Sequence, residues 1–298
     1  MSAPDPLAER RFAYAQACAQ DGDWAAAAEM CEQALELSPD WAPAWFALAE
    51  AREKTGARAE AAAAYARTLG LDPADVQGAG PRLARLEGRE VAALPPAYVA
   101  RLFDDYAPRF DRHLTETLGY CGPEAIVGVL DHLAPGRTFD VALDLGCGSG
   151  LMGRALRGRV GRLAGVDLSV GMIAKARESE VYDELEVGDL LDFLNRRPRG
   201  SADLCVAADT LVYLGDLAPV CRAAAAALAA GGLFAFTVES GEEAGFVLGE
   251  GMRFRHSDTH LRAATEAAVL EIASLSPGST RREAGAATAG RLVALLKP

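Results

Sequence analysis

Shifted against itself by 34 residues, the front of this chain falls into register. Gly22 lands on Gly56, Ala27 on Ala61, Cys31 on Tyr65, Leu35 on Leu69, Leu37 on Leu71 and Pro39 on Pro73. A period of this length describes a helical hairpin that cannot bury its apolar side alone and must stack on its neighbour. In each copy the glycine turns the chain between two helices and the proline stops the second one. Trp45-x-x-Leu48-Ala49 opens the second copy, and the weaker Arg11-x-x-Tyr14-Ala15 opens the first. Two copies are fewer than the three or so that make a stable stack. A capping helix is therefore expected over Asp75–Leu86, with Leu83 and Leu86 on one side.

The pattern resembles the tetratricopeptide repeat (TPR), two antiparallel helices per unit. Gly88 and Leu94-Pro95-Pro96 mark its far boundary, because a double proline resists helix continuation. The expected domains are two hairpins over residues 1–75, a capping helix and Pro-rich linker over 76–95, and a second domain over 96–298. The repeats either brace that domain or hold a partner peptide, and the residues alone leave both readings open. Just after the boundary Tyr98, Phe103, Tyr106 and Phe110 form an aromatic stripe, read either as core or as a lid over a ligand within residues 96–120.

From Thr138 onward apolar strands alternate with helices. Strands are expected over Phe139–Leu145, Leu163–Val166, Leu185–Val187, Asp203–Ala208, Leu233–Val238, Val269–Leu275 and Leu292–Leu296. Helices are expected over Leu151–Leu156 and Gly171–Arg177. Such alternation predicts an α/β fold, a mostly parallel Rossmann-like sheet covered on both faces. Residues 276–289 read as a loop joining an antiparallel last pair.

The first strand runs into Leu143-Asp144-Leu145-Gly146-Cys147-Gly148-Ser149-Gly150, where glycines let backbone approach a ligand. Two cofactor readings compete. Gly148-x-Gly150-x-x-Gly153 with Asp167 spells a dinucleotide fingerprint, but its strand would have to absorb Asp144, Gly146 and Cys147. With Gly146 as the turn glycine the strand is clean and ends beside Asp144, an acid that opposes a pyrophosphate and suits a cationic ligand.

That motif, the acid in Gly165-Val166-Asp167-Leu168-Ser169, and Gly188-Asp189-Leu190 resemble the three cofactor motifs of class I S-adenosylmethionine-dependent methyltransferases. The resemblance covers about residues 96–298, and with the repeats it extends to bacterial TPR-containing methyltransferases. It implies a seven-stranded sheet with an antiparallel last strand, S-adenosylmethionine as cofactor and S-adenosylhomocysteine as product. It also implies that Asp144 and Gly146, Cys147, Gly148, Ser149 and Gly150 border the methionine end of the cofactor. Asp167, with Leu168 beside it, would accept from the ribose hydroxyls. Met172 would pack on the adenine, Asp189 and Leu190 would read its edge, and Ala207 counts with them among the cofactor-binding residues.

A methyl acceptor needs in-line placement in a dry pocket, and a base only when it must lose a proton. Catalytic candidates are therefore few: Asp209, His256 and Tyr106, with Tyr213 read mainly as packing. Ala207-Ala208-Asp209-Thr210-Leu211-Val212-Tyr213 lacks the Asn/Asp-Pro-Pro-Tyr/Phe motif of DNA amino-methylating enzymes. The insert Glu239–Ser257 is expected to build the acceptor site. His256 and His260 invite a metal, but Ser257 or Asp258 looks like a helix cap that leaves His256 outside the helix, so none is expected. His113 and His132 have no constellation.

Composition narrows the partners. The net charge of -12 is divided evenly between residues 1–90 and the rest, so no basic nucleic-acid face is expected. The longest uncharged stretch, Ala223–Val238, is Ala-rich and short of the ~20 residues of a membrane span, and no apolar signal segment opens the chain. Six cysteines without CxxC spacing read as reduced thiols of a cytoplasmic protein. The expected activity is methyl transfer to O, N or C of a small or medium-sized acceptor. The alternatives are a protein methyltransferase recruiting substrate through its repeats, and a non-catalytic interaction protein.

Overall fold

The computed structural model describes residues 4–112, 119–279, 282–283 and 286–298. The chain forms two compact units, residues 1–91 and 92–298.

The first unit is helical throughout: α1 (Pro6–Gln20), α2 (Trp24–Leu37), α3 (Ala42–Lys54), α4 (Arg58–Leu71) and α5 (Ala79–Glu87). Gly22 and Gly56 both take φ +81°, the left-handed turn that the 34-residue register demanded. Alanines 27, 28, 44 and 49 are buried where helices meet, and Tyr65 fills the centre with its hydroxyl donating to Glu53 (2.8 Å). The cap starts four residues later than expected. Asp75 takes a left-handed conformation (φ +54°), and its carboxylate accepts from the amides of Ala79 (2.6 Å) and Gly80 (2.9 Å), so it caps α5 rather than joining it.

The second unit opens with α6 (Pro96–Tyr106), a 3-10 turn over Ala107–Arg109, a single turn α7 (Phe110–Arg112) and α8 (Gly122–Leu133). Then follow β1 (Phe139–Leu145), α9 (Leu151–Ala155), β2 (Val160–Asp167), α10 (Val170–Glu178), β3 (Glu184–Val187), α11 (Leu190–Asn195) and β4 (Ala202–Ala207). The chain ends with α12 (Ala218–Ala227), β5 (Leu228–Ser240), β6 (Phe246–Leu248), β7 (Phe254–His256), α13 (Asp258–Ala267), β8 (Glu271–Gly278), β9 (Arg282–Glu283), β10 (Ala286–Ala287) and β11 (Gly290–Leu296). The sheet order is β3-β2-β1-β4-β5-β11-β8, parallel except for β11, which runs antiparallel to both neighbours. These seven strands are the expected mostly parallel set with an antiparallel last strand, and β6 and β7 bring the sheet to nine.

Side chains alternate across the sheet. Leu204 and Val206 of β4 pack with Ile126, Leu130 and Met152, whereas Cys205 and Ala207 pack with Phe193, Val220 and Leu261. Helices therefore cover both faces.

Four details depart from expectation. Residues 92–94, expected in the linker, belong to the second unit: the Leu94 amide donates to Tyr213 (3.0 Å) and the Gly215 amide to Ala92 (2.8 Å). The sixth expected strand, β8, starts at Glu271 rather than Val269, because Val269 at φ +55° closes α13 through its amide bond to Glu266 (3.0 Å). A ribbon of β6 and β7, unseen in the periodicity, joins β5 through β7. Within 276–289, β8 runs on to Gly278 and β9 pairs with β10. No helix among the described residues is long and apolar enough to cross a membrane.

Candidate functional site

β1 ends at Leu145, so the chain turns at Gly146. The amides of Gly146 and Cys147 both donate to the Val166 carbonyl (2.8 and 2.9 Å), which ties the turn to β2. Gly146 has φ +72°, and a Cβ there would collide with Thr210. Gly153, the third glycine of the dinucleotide pattern, is explained by packing: a Cβ on it would lie 2.6 Å from the Tyr182 hydroxyl.

Asp167 stands at the tip of β2. Its carboxylate accepts from the Gly148 amide (2.9 Å) and from the Ser169 amide (2.9 Å), joining the first turn to the second. Burial raises its pKa, and the two amides oppose that shift. Ser169 caps α10 by accepting from the Met172 amide (3.0 Å). Asp104 of α6 accepts from the Ser169 hydroxyl (2.6 Å) and the Gly171 amide (2.9 Å), anchoring the aromatic helix beside this turn. Nothing in the sequence singled out Asp104 within its aromatic, acidic helix.

A cavity of about 370 Å³ opens along these strand ends. Gly146, Gly148, Asp167, Leu168, Asp189 and Leu190 line one side. Phe103, Tyr106, Phe110, Tyr120 and Tyr213 form aromatic walls, and Ala208, Asp209, Thr210 and Arg253 complete the far end. Phe103, Tyr106 and Phe110 of the aromatic stripe are thus cavity wall, whereas Tyr98 is not among the lining residues; Phe103 stands edge-on to both Phe110 (6.0 Å) and Tyr213 (5.5 Å). Asp189 lines the cavity while its carboxylate caps α11, accepting from Leu191 (2.8 Å) and Asp192 (3.2 Å).

Six expected contacts face elsewhere. Asp144 is fully buried, its Oδ2 accepting from the Tyr182 hydroxyl (2.6 Å) and its Oδ1 without a partner among the described residues. Burial pushes its pKa up to about 7, with the Tyr182 bond opposing and Asp167 adding to the shift. Cys147 packs with Ile173 and Ala176, and burial pushes its thiol pKa up. Ser149 is buried and its hydroxyl bonds to Asp111; Gly150 caps α9 next to Tyr182. Met172 is fully buried in α10, and Leu168 holds the cavity position instead. Ala207 points into the core by strand alternation, so the next residue, Ala208, lines the cavity.

The catalytic candidates divide. Tyr106 and Asp209 line the cavity. Asp209 stands at φ +60° with its amide donating to the Thr237 hydroxyl (2.8 Å). Its carboxylate accepts from Arg253 (2.8 Å), which also donates to Glu239 (2.5 Å) and the Tyr213 hydroxyl (3.0 Å). Burial works against the charge of Arg253, but Asp209, Tyr213 and Glu239 outweigh it and raise its pKa. Tyr213 is therefore both packing and part of this network. Sequence reading passed over Arg253, although it lies in the insert expected to build the acceptor site.

His256 lies away from the cavity. It is buried in β7, Nε2 donating to the Leu214 carbonyl (2.8 Å) and Nδ1 without a partner among the described residues. Burial lowers its pKa to about 4, so it is neutral near pH 7 and positions the Leu214–Gly215 backbone. Its effect on stability has a definite sign. Between the unfolded value near 6.5 and the folded value near 4, the unfolded chain alone gains the proton, so stability falls on acidification by about 3 kcal/mol. His256→Gln should lose that part of the acid sensitivity, so its urea midpoint should rise relative to the wild type's on going from pH 7.5 to pH 4.5.

His260 stacks on His256 (5.6 Å between centroids) and accepts from the Leu217 amide (3.3 Å), so the two rings do not converge. Among the described residues no His, Cys, Asp and Glu group is placed to hold a metal. His132 is exposed on α8, and His113 lies outside the described residues.

A methyltransferase-domain family model matches residues 143–236, and two tetratricopeptide-repeat models match residues 8–51 and 44–77. A search of curated proteins finds no significant match. Among solved structures, the [4+2]-cyclase SpnF superposes with a TM-score of 0.55 at 16% identity, covering 67% of this chain and 95% of that one. A chain of the complex formed by the Haloferax volcanii Trm112 methyltransferase activator gives 0.50 at 22% identity, covering 66% and 97%. These likenesses establish the fold; one of the two proteins is a cyclase by name, so the fold does not by itself set the reaction. The family matches give the coarser assignment: the chain carries a methyltransferase domain within residues 143–236, preceded by tetratricopeptide repeats within residues 8–77.

Proposed function

We propose that the cavity between the glycine turn and the aromatic helix binds S-adenosylmethionine together with a small or medium-sized acceptor, whose O, N or C atom is methylated. The observation that carries this reading is Asp167, a half-buried acid at the tip of β2 that lines the cavity and holds the Gly148 amide. The residues present fit the cofactor. Asp167 is set to accept from ribose hydroxyls, Leu168 to pack on the adenine, and Leu190 beside the capping Asp189 to meet its edge. Backbone at Gly146 and Gly148 leaves room for the amino-acid end.

When bound, the cofactor supplies a methyl group on a positively charged sulfur. The chain's own residues then do three things. The aromatic walls exclude water, Asp104 fixes the helix that carries them, and Asp209 with Arg253 shapes the acceptor end. No general base is required unless the acceptor must lose a proton. A second reading rests on the two matched repeats: tetratricopeptide hairpins present a face to peptides, so the acceptor is a recruited protein.

Calorimetry with S-adenosylmethionine, S-adenosylhomocysteine and NAD tests the first step. Micromolar binding of the first two and none of NAD is expected. Binding of NAD alone would mean that the dinucleotide pattern, not Gly146, marks the site. Labelled methyl entering protein rather than small molecules of a cell extract would favour the recruited substrate.

A further inference from the structure

One ring of the cavity wall carries a polar group that methyl transfer, as read above, leaves unused. Tyr120, just ahead of α8, is half-buried and lines the cavity with Gly146, Gly148, Asp209 and Arg253. Its hydroxyl makes no hydrogen bond to the described residues. The ring is held there by shape. A Cβ on Gly122 would lie 2.5 Å from the hydroxyl oxygen and 2.7 Å from Cζ, closer than packed atoms come. Gly122 is not left-handed, so the ring uses the space that this glycine leaves and not its conformational freedom.

Desolvation raises the pKa of the phenol well above its ordinary value; Asp209 and Asp144 add to the shift and Arg253 opposes it. Near neutral pH the group is therefore an O–H donor that also keeps lone pairs for accepting. The two acids also fix its place. Asp144 belongs to β1 and Asp209 follows β4, and the chain leaves β1 toward β2 on one side and returns with β4 on the other. The hydroxyl stands over the crevice where strand order reverses, the usual ligand position of an open α/β sheet.

The amino-acid end of the cofactor brings a carboxylate and an ammonium to this crevice, and both need partners in a pocket poor in water. The glycine turn offers few. Its Gly146 and Cys147 amides are taken by the Val166 carbonyl (2.8 and 2.9 Å) and its Gly148 amide by Asp167 (2.9 Å). The Gly146 carbonyl accepts from the Thr210 hydroxyl (3.3 Å). Asp144, the acid expected to meet a cation, is fully buried against Tyr182. Tyr120 offers a donor and an acceptor on one atom.

We propose that the Tyr120 hydroxyl anchors the amino-acid end of the cofactor and that Gly122 is the cradle holding the phenol in place. This assignment rests on the methyl-transfer reading. It makes Tyr120 the residue by which the site prefers the complete cofactor to a plain adenosine thioether.

Calorimetry on the full chain with S-adenosylhomocysteine and methylthioadenosine tests it, because the second ligand keeps adenosine and sulfur but lacks the amino-acid end. The unaltered protein should bind S-adenosylhomocysteine on the order of 100-fold tighter. Tyr120→Phe removes one oxygen and should weaken S-adenosylhomocysteine about 10-fold, leaving methylthioadenosine within about 2-fold. A tyrosine that only supports the fold would lower both affinities together. Gly122→Ala keeps the phenol but displaces it, so it should lower the same affinity ratio; it decides the matter should Tyr120→Phe fail to fold. Decarboxylated S-adenosylhomocysteine keeps the ammonium alone: a loss in Tyr120→Phe marks the ammonium as the partner, and no loss marks the carboxylate. Equal binding of the first two ligands by the unaltered protein, unchanged S-adenosylhomocysteine affinity in Tyr120→Phe, or a parallel loss of both ligands overturns the proposal. Failure of the unaltered protein to bind S-adenosylhomocysteine would instead strike the methyl-transfer reading.

Discussion

Asp167→Asn is expected to weaken S-adenosylmethionine binding by on the order of 100-fold, the loss of two charge-assisted hydrogen bonds at about 1.5 kcal/mol each. The geometry explains why so conservative a change matters. Both carboxylate oxygens of Asp167 accept backbone amides, one from Gly148 and one from Ser169. Asparagine has one acceptor oxygen, so one amide would face an NH₂ group and the turn at Gly148 would lose its tie to β2. Stability should change far less than affinity, because the substitution also removes a half-buried charge whose pKa desolvation has raised. Calorimetry and a thermal melt of the same preparation separate the two effects. Unchanged affinity would remove Asp167 from the ribose role.

Asp144→Asn should change how stability depends on pH. Asp144 titrates near 3.9 when unfolded and near 7 when folded. A raised folded pKa contributes most below the unfolded value and is lost as pH rises through the folded one. Between pH 4 and pH 7 the native carboxyl therefore costs about 4 kcal/mol of stability. The variant should gain on the wild type by that amount over the same range, read from denaturant midpoints at pH 4.5, 6 and 8. Tyr182→Phe should do the opposite. It strips the ionised acid of its one described donor, so its cost should be about 1.5–3 kcal/mol at pH 8 and smaller at pH 4.5. His256 acts in the reverse direction over pH 4 to 6.5, so the wild type is expected to show a flatter profile than either Asp144→Asn or His256→Gln. Parallel profiles for all of these proteins would contradict the buried Asp144–Tyr182 arrangement.

Much of this architecture is local chemistry and was therefore legible in the chain. The 34-residue register set the hairpins because glycines at 22 and 56 and prolines at 39 and 73 act on their own turns. The strand ending at Leu145 and the glycine after it chose the methyltransferase turn over the dinucleotide one, since only Gly146 leaves β1 unbroken. Ser257 or Asp258 was recognisable as a cap, and it is the Ser257 side chain that accepts from the His260 amide (3.1 Å).

What tertiary structure alone decided is where side chains point once strands and helices pack. Cys147 and Ser149 sit in the motif yet turn inward, while Ala208 replaces Ala207 at the wall through the two-residue alternation of β4. Asp144 looked like a ligand contact because an acid beside a glycine turn attracts a cation, but its partner is Tyr182, 38 residues away in sequence. Arg253 meets Asp209 across 44 residues, and Asp104 meets Ser169 across 65. Residue type and spacing report which groups exist and which backbone turns they permit; pairing at such separations depends on which strands lie side by side.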